Sequence, residues 1–231
     1  MAQFSVLLIT APPAGLGEEA GGAFIKIDGR EALLRSVELF LNRDHIKQIQ
    51  LAFLTEAMEE AKRKFGGHLG FSGVKVIAGG PRWLDQVAAA AEKLDPQVTH
   101  VILHDAARPA VPYSDIDALM EAAEKHEAVV LTTPVRTPLI ELDDGANPVA
   151  NHLPRQFQHL LMPQAFSRDK FVQLAQSKQE IHASELHVLK GSPLNIRVGG
   201  PGDASMVNAM LRMLPKPKVK PPSSPFEEAQ W

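Results

Sequence analysis

The chain has 231 residues, 24 Lys and Arg against 27 Asp and Glu for a formal charge of −3, 45% apolar residues and no cysteine. That length allows one large domain, or one domain with an appendage, and it buries roughly 70–75% of the unfolded surface without a covalent staple. The missing cysteines exclude a disulfide scaffold, a thiolate zinc site, an iron–sulfur cluster and a cysteine nucleophile. The near-neutral charge announces no nucleic-acid surface. The first residues lack a basic leader region, and no run approaches the roughly 20 apolar residues that span a bilayer. The expectation is a cytoplasmic protein with neither membrane nor nucleic acid as a partner.

Short apolar runs alternate with helical patterns. Residues 4–10 (FSVLLIT) predict a buried strand. In residues 31–42, Leu33, Leu34, Val37 and Leu41 fall at helical spacing. Strands are expected at 46–54, 74–78, 99–103 and 128–131, with helices at 56–65, 84–94 and 114–125 between them. Parallel strands need crossovers, and helices are the usual ones. The fold class predicted is therefore α/β, a doubly wound sheet with helices on both faces. Ligands of such sheets bind outside the carboxyl ends of the strands, which points to the loops after residues 10, 78, 103 and 131.

Residues 134–154 break the alternation. Two short runs, 139–142 and 148–152, flank the turn-like Asp143-Asp144-Gly145 and predict a protruding hairpin. A helix is expected at 168–177, a strand at 194–198 and a last helix at 203–214. The domain thus covers residues 1–214, with an arm over about 134–158. Residues 215–231 (PKPKVKPPSSPFEEAQW) are rich in Pro and Lys and are expected to be an extended, disordered tail.

Few other constellations carry chemistry. The 9 histidines show no metal-ligand spacing with a carboxylate on a helix. Ser36, Ser114 and Ser184 lack a nucleophile-elbow pattern, and Met206, Met210 and Met213 have the spacing of core packing.

The most specific segment is His104-Asp105-Ala106-Ala107-Arg108-Pro109, directly after an apolar run. It resembles the signature of the 2-C-methyl-D-erythritol 4-phosphate cytidylyltransferase family. Further resemblances follow in order: Gly79-Gly80 with the family's second glycine segment, Pro134-Val135, then Met162-Pro163-Gln164-Ala165-Phe166 with T-P-Q-x-F. Asn195-Ile196-Arg197-Val198 with N-I-K-V/I comes last. The resemblance implies a Rossmann-like nucleotidyltransferase fold with a projecting β-arm that makes a homodimer. The implied reaction joins CTP to a phosphorylated polyol with Mg2+ and releases pyrophosphate, each site being completed by the partner's arm. The implied nucleotide-binding residues are Ala14, Gly15, Gly17, Gly79, Gly80, Gln86, Asp105 and Arg108. Asp105 is the expected metal ligand. Arg197, Asp105 and Lys26 are the expected catalytic groups, and Arg155, Arg136 and Arg108 the substrate-phosphate ligands.

The sequence also departs from that pattern. The first loop keeps Ala14-Gly15-Leu16-Gly17, but the family's arginine falls on Glu19 beside Glu18, and its lysine on the Gly21-Gly22-Ala23 stretch. Lys26 is the candidate replacement downstream. Like charges at about 4 Å cost roughly 4 kcal/mol at an effective dielectric of about 20, so Glu18 and Glu19 oppose a triphosphate. The family's serine that helps read cytosine stands as Gln86, and its final lysine as Arg197. Three readings stay open: an active cytidylyltransferase, a relative that binds a nucleotide or acts as a scaffold dimer without turnover, and a transferase of altered specificity.

Overall fold

The computed structural model describes residues 2–11 and 22–214. Strand β1 (Phe4–Ile9) is buried at every position, as a continuous apolar run in the middle of a sheet must be. A small hairpin, β2 (Lys26–Ile27) and β3 (Arg30–Glu31), turns at Asp28 and Gly29, both at positive φ. It leads into α1 (Ala32–Glu38). Strand–helix alternation then runs through β4 (Ile46–Leu54), α2 (Met58–Phe71), β5 (Lys75–Gly79), α3 (Trp83–Ala91), β6 (His100–Asp105), α4 (Tyr113–Ala123) and β7 (Ala128–Pro134). After it come a separate two-stranded sheet of β8 (Leu139–Leu142) and β9 (Pro148–His152), and the long strand β10 (Gln158–Ser167). The chain continues with α5 (Arg168–Ser177), β11 (His187–Lys190) and α6 (Pro201–Met213).

The main sheet has seven strands in the order β11-β7-β10-β6-β1-β4-β5. The β1–β4, β1–β6, β4–β5 and β7–β11 pairs are parallel, as the alternation predicts. β10 is the exception. It lies antiparallel between β6 and β7, so the sheet is mixed. The order reverses direction at β1, from which β4 and β5 extend one way and β6 the other. The carboxyl ends of β1 and β6 therefore border the crevice where such sheets take ligands.

Both faces of the sheet are covered. One face buries Phe4, Val6, Leu8, Phe40, Phe53 and Ile102 with the apolar sides of α1, α2 and α4. The other buries Leu7, Ile9, Val101 and Leu103 with α3 and α5. A third, smaller cluster of Ile27, Ala32, Ala110, Val198 and Val207 joins the β2–β3 hairpin to α6. Gly22 belongs to this corner, because a Cβ there would lie 1.8 Å from the Val198 carbonyl oxygen. Only a glycine allows the two backbones to approach so closely.

Three expectations need correction. Residues 194–198 form no strand; Val198 N–H donates to the Ala107 carbonyl at 2.8 Å, while the Asn195 and Ile196 N–H groups make local turn bonds to the Ser192 and Leu194 carbonyls. The last strand is instead β11, pairing His187–Lys190 with Val129–Thr132 of β7. The helix expected at 31–42 ends at Glu38, while α2 runs past Gly66 and Gly67 to Phe71. Tertiary packing of Ala61, Phe65 and Leu69 carries that helix through its glycines. The tail from residue 215 lies outside the described residues, among which no helix is long and apolar enough to cross a membrane.

Candidate active site

β6 delivers Asp105 to the crevice in register with Ile9, the last residue of β1. The chain then turns sharply. Asp105 Oδ1 accepts the Ala107 N–H at 2.8 Å, Ala106 N–H donates to the Ile9 carbonyl at 2.9 Å, and Arg108 N–H donates to the Asp105 carbonyl at 3.0 Å. Ala106 and Ala107 are both fully buried, so the turn has room only for small side chains. Ser36 Oγ on α1 donates to the Ala106 carbonyl at 2.9 Å and fixes the loop from below.

His104 is a brace for this turn. Its Nε2 lies 3.0 Å from the Arg108 carbonyl, and its ring meets Phe40 edge-on with centroids 5.3 Å apart. That contact assigns the proton to Nε2. Nδ1 is buried and makes no hydrogen bond among the described residues. Burial in this apolar setting pushes the imidazole pKa down to about 3, and the nearby Arg108 charge lowers it further against the hydrogen bond to the Arg108 carbonyl. His104 is therefore neutral and structural.

The charged core of the site is a triad from distant segments. Arg197 Nε donates to Asp105 Oδ2 at 2.8 Å, and Arg108 Nε stands 3.8 Å from the same oxygen. Asp105 is 1% exposed. Arg108 Nη1 donates to the Asn195 carbonyl at 3.0 Å, while Asn195 Nδ2 donates to the Met162 carbonyl at 2.6 Å. Asn195 thus ties the 195–198 segment to β10 and aligns both arginines. Burial lowers the Arg108 pKa, Asp105 raises it, and Arg197 adds a smaller lowering.

Beside this triad opens a cleft of about 810 Å³. Its lining includes Arg108, Arg197, Arg136 and Lys190, with Glu180 as the one carboxylate among the described lining residues. Trp83, Leu161, Met162 and Phe166 give it apolar walls. A cavity of that size with a few convergent charges suits a small phosphorylated ligand.

On the opposite side of β1, Gly79 and Gly80 let the first turn of α3 come close. A Cβ on Gly79 would lie 2.8 Å from Gln86 Cγ and 2.9 Å from Gln86 Cα. Gln86 is fully buried. Its Oε1 accepts the Thr10 and Ala11 N–H groups at 3.0 and 3.3 Å, and its Nε2 donates to the Gly80 carbonyl at 3.4 Å.

The structure therefore brings Arg108, Arg197 and Arg136 to one cleft, with Asp105 buried behind the first two. Lys26 sits exposed on the two-residue strand β2, on a hairpin that packs toward α6, and is not among the described residues that line this cleft. Arg155 lies on a short 3-10 helix, Pro154–Gln156, exposed and away from the cleft lining. Ala14, Gly15 and Gly17 lie outside the described residues, as do Glu18 and Glu19. Sequence reasoning missed Lys190. Its signal is the short run His187–Lys190 ending at Gly191, which is too brief to separate from loop.

A magnesium site of protein ligands does not fit these residues. Asp105 is buried, Oδ1 is taken by a backbone N–H and Oδ2 by Arg197. Among the described residues no group of three His, Asp or Glu side chains gathers to hold a metal ion.

The mixed α/β sheet, with a cleft at its carboxyl ends, has the fold of known nucleotidyltransferase structures. It matches the 4-diphosphocytidyl-2C-methyl-D-erythritol synthase of Anaerococcus prevotii with a TM-score of 0.73 at 18% identity, over 91% of this chain and 99% of that one. It matches the 2-C-methyl-D-erythritol 4-phosphate cytidylyltransferase of Thermus thermophilus with a TM-score of 0.68 at 21% identity, over 89% and 98%. The chain belongs to the 2-C-methyl-D-erythritol 4-phosphate cytidylyltransferase family, whose model matches residues 6–213. A relative of that name from Clostridioides difficile is 24% identical over 229 residues, covering 94% of this chain and 97% of the relative. Another from Frankia casuarinae is 32% identical over 163 residues, which span 68% of this chain and 59% of that protein.

Proposed function

We propose that this protein transfers a cytidylyl group from CTP to a phosphorylated polyol, 2-C-methyl-D-erythritol 4-phosphate, with release of pyrophosphate. The observation that carries the reading is the buried Asp105–Arg197–Arg108 triad at the wall of a cleft whose other charges are mostly cationic. The reaction sets an acceptor phosphate oxygen against the α-phosphorus of the nucleotide. Two polyanions must be held in line while charge builds on the equatorial oxygens, so catalysis is mostly positioning and cationic stabilisation. In this reading Arg108 and Arg197 face the reacting phosphates, with Asp105 fixing their planes. Arg136 and Lys190 receive the acceptor's phosphate. Gly79 and Gly80 shape the nucleotide side, and a divalent cation arrives on the triphosphate rather than on a protein cage.

Residues 139–160 support a homodimer in the same reading. The β8–β9 hairpin pairs only with itself, and Ile140, Leu142, Val149, Leu153 and Leu160 are all more than half exposed. A second copy seated there would cover these apolar groups and bring Arg155 toward a cleft that its own subunit does not reach.

The test is pyrophosphate release from CTP and 2-C-methyl-D-erythritol 4-phosphate with Mg2+. Turnover should fall by about 10³-fold in R197A, the scale of losing one cation or donor on a transferring group. Release no faster than from an Asp105→Ala control would reject the reading. CTP binding without turnover would favour the non-catalytic relative, for which Glu18 and Glu19 are the motivating residues.

A further inference from the structure

We propose that Gln86 acts as a built-in ligand for the nucleobase end of the crevice, so that a nucleotide base binds only when the Gln86 side chain swings out. The proposal rests on the nucleotide reading above and deepens it.

The carboxyl end of β1 stands where the strand order reverses, the position at which an open α/β sheet offers backbone groups to a ligand. There the Thr10 and Ala11 N–H groups point at one acceptor, Gln86 Oε1, and the Gly80 carbonyl points at one donor, Gln86 Nε2. A carboxamide presents an acceptor and a donor side by side. The edge of a cytosine ring presents the same pair, a ring nitrogen beside an amino group. The protein's own side chain thus makes the bonds that a base edge would make.

The backbone of the first turn of α3 is closed without this side chain, since the Asp85 and Gln86 N–H groups donate to the Arg82 carbonyl at 3.0 and 3.3 Å. Gly79 lets the backbone and stem of Gln86 come close enough for the amide to reach the end of β1, since a Cβ there would lie 2.8 Å from Gln86 Cγ and 2.9 Å from its Cα. The occupied state must be left before a base can enter, and apparent affinity falls by the fraction of molecules that are open.

Calorimetry of CTP binding to the full chain tests this. Q86S and Q86A should bind CTP about tenfold more tightly than the unaltered protein, the gain expected if roughly one molecule in ten is open. Q86E should bind more weakly, because a carboxylate still accepts both N–H groups and adds a negative charge near the triphosphate. A side chain that merely ties α3 to β1 would weaken binding in all three variants. Folded serine and alanine variants that bind no tighter than the unaltered protein overturn the proposal, while CTP binding by the unaltered protein leaves the cytidylyltransferase reading standing. If no form binds CTP, both fall. Should the variants unfold, NMR of the unaltered chain decides: the Gln86 side-chain amide protons should lose protection when CTP is added, and continued protection overturns the idea.

Discussion

Asp105 does two jobs through its two oxygens. Oδ1 closes the turn by accepting the Ala107 N–H, and Oδ2 draws Arg197 to the mouth of the sheet from a segment 92 residues away. Replacing Asp105 with Asn keeps the shape but removes the buried carboxylate that Arg197 and Arg108 both face. Breaking one side of a buried charge pair costs about 3–5 kcal/mol. D105N should therefore lower unfolding stability by about 3 kcal/mol in urea titrations; a loss below about 1 kcal/mol would show that the triad adds little to folding. Asp105, Arg108 and Arg197 were each legible in the sequence as matches to a motif. Their meeting on one oxygen was not, because the partner reaches Asp105 through an irregular segment with no periodic signal. Gln86 shows the opposite limit. Its replacement of a serine is plain in the sequence, but that its amide folds back on β1 depends on the close approach at Gly79.

Among the elements, the strands buried on both faces were the most legible. β1, β4, β6 and β7 read as apolar runs, and the parallel pairing of β1 with β4 and β6 follows from the helices between them. β10 was not read as a strand, because Pro163 interrupts it and proline removes a ladder donor. The register shift between Leu161 and Gln164 absorbs that residue. The hairpin was legible as a hairpin, but not what covers it. An isolated two-stranded hairpin is marginal in water. On β8–β9, Glu141 and His152 pair at 2.7 Å, while Ile140 and Val149 are 53% and 62% exposed. If a second copy covers these side chains, sedimentation equilibrium at micromolar concentration should give twice the chain mass of 25.2 kDa. Ile140→Glu combined with Val149→Glu should then return the monomer, since each buried carboxylate strongly opposes association. A monomeric unaltered protein would remove the hairpin from the dimer argument.

At the scale of the whole molecule, one neutral imidazole links the turn after β6 to Phe40 in the core of one sheet face. His104 lies under the turn that carries Asp105, and its pKa is held at about 3 against 6.5 when unburied. The unfolded chain therefore takes up a proton that the folded chain refuses as pH falls from 6.5 toward 3. The unfolded state binds more protons in that window, so stability rises with pH and is lost on acidification. One such group contributes a slope of at most about 1.4 kcal/mol per pH unit. His100, half-buried and also lowered by desolvation, adds in the same direction. Asp115, raised by its own burial, works the other way, because the folded chain gains its proton first. Asp85, held below the usual carboxylate range by Arg82 and Lys178, loses its contribution only in stronger acid. Between about pH 6.5 and about pH 5 the imidazoles therefore dominate the profile, since ordinary carboxylates titrate near about 4. His104→Gln, which keeps a donor for the Arg108 carbonyl, should flatten stability in that range by about 1 kcal/mol per pH unit in urea midpoints measured at successive pH values. An unchanged slope would mean that the turn admits a protonated His104, and that the loop carrying Asp105 opens more readily than its packing implies.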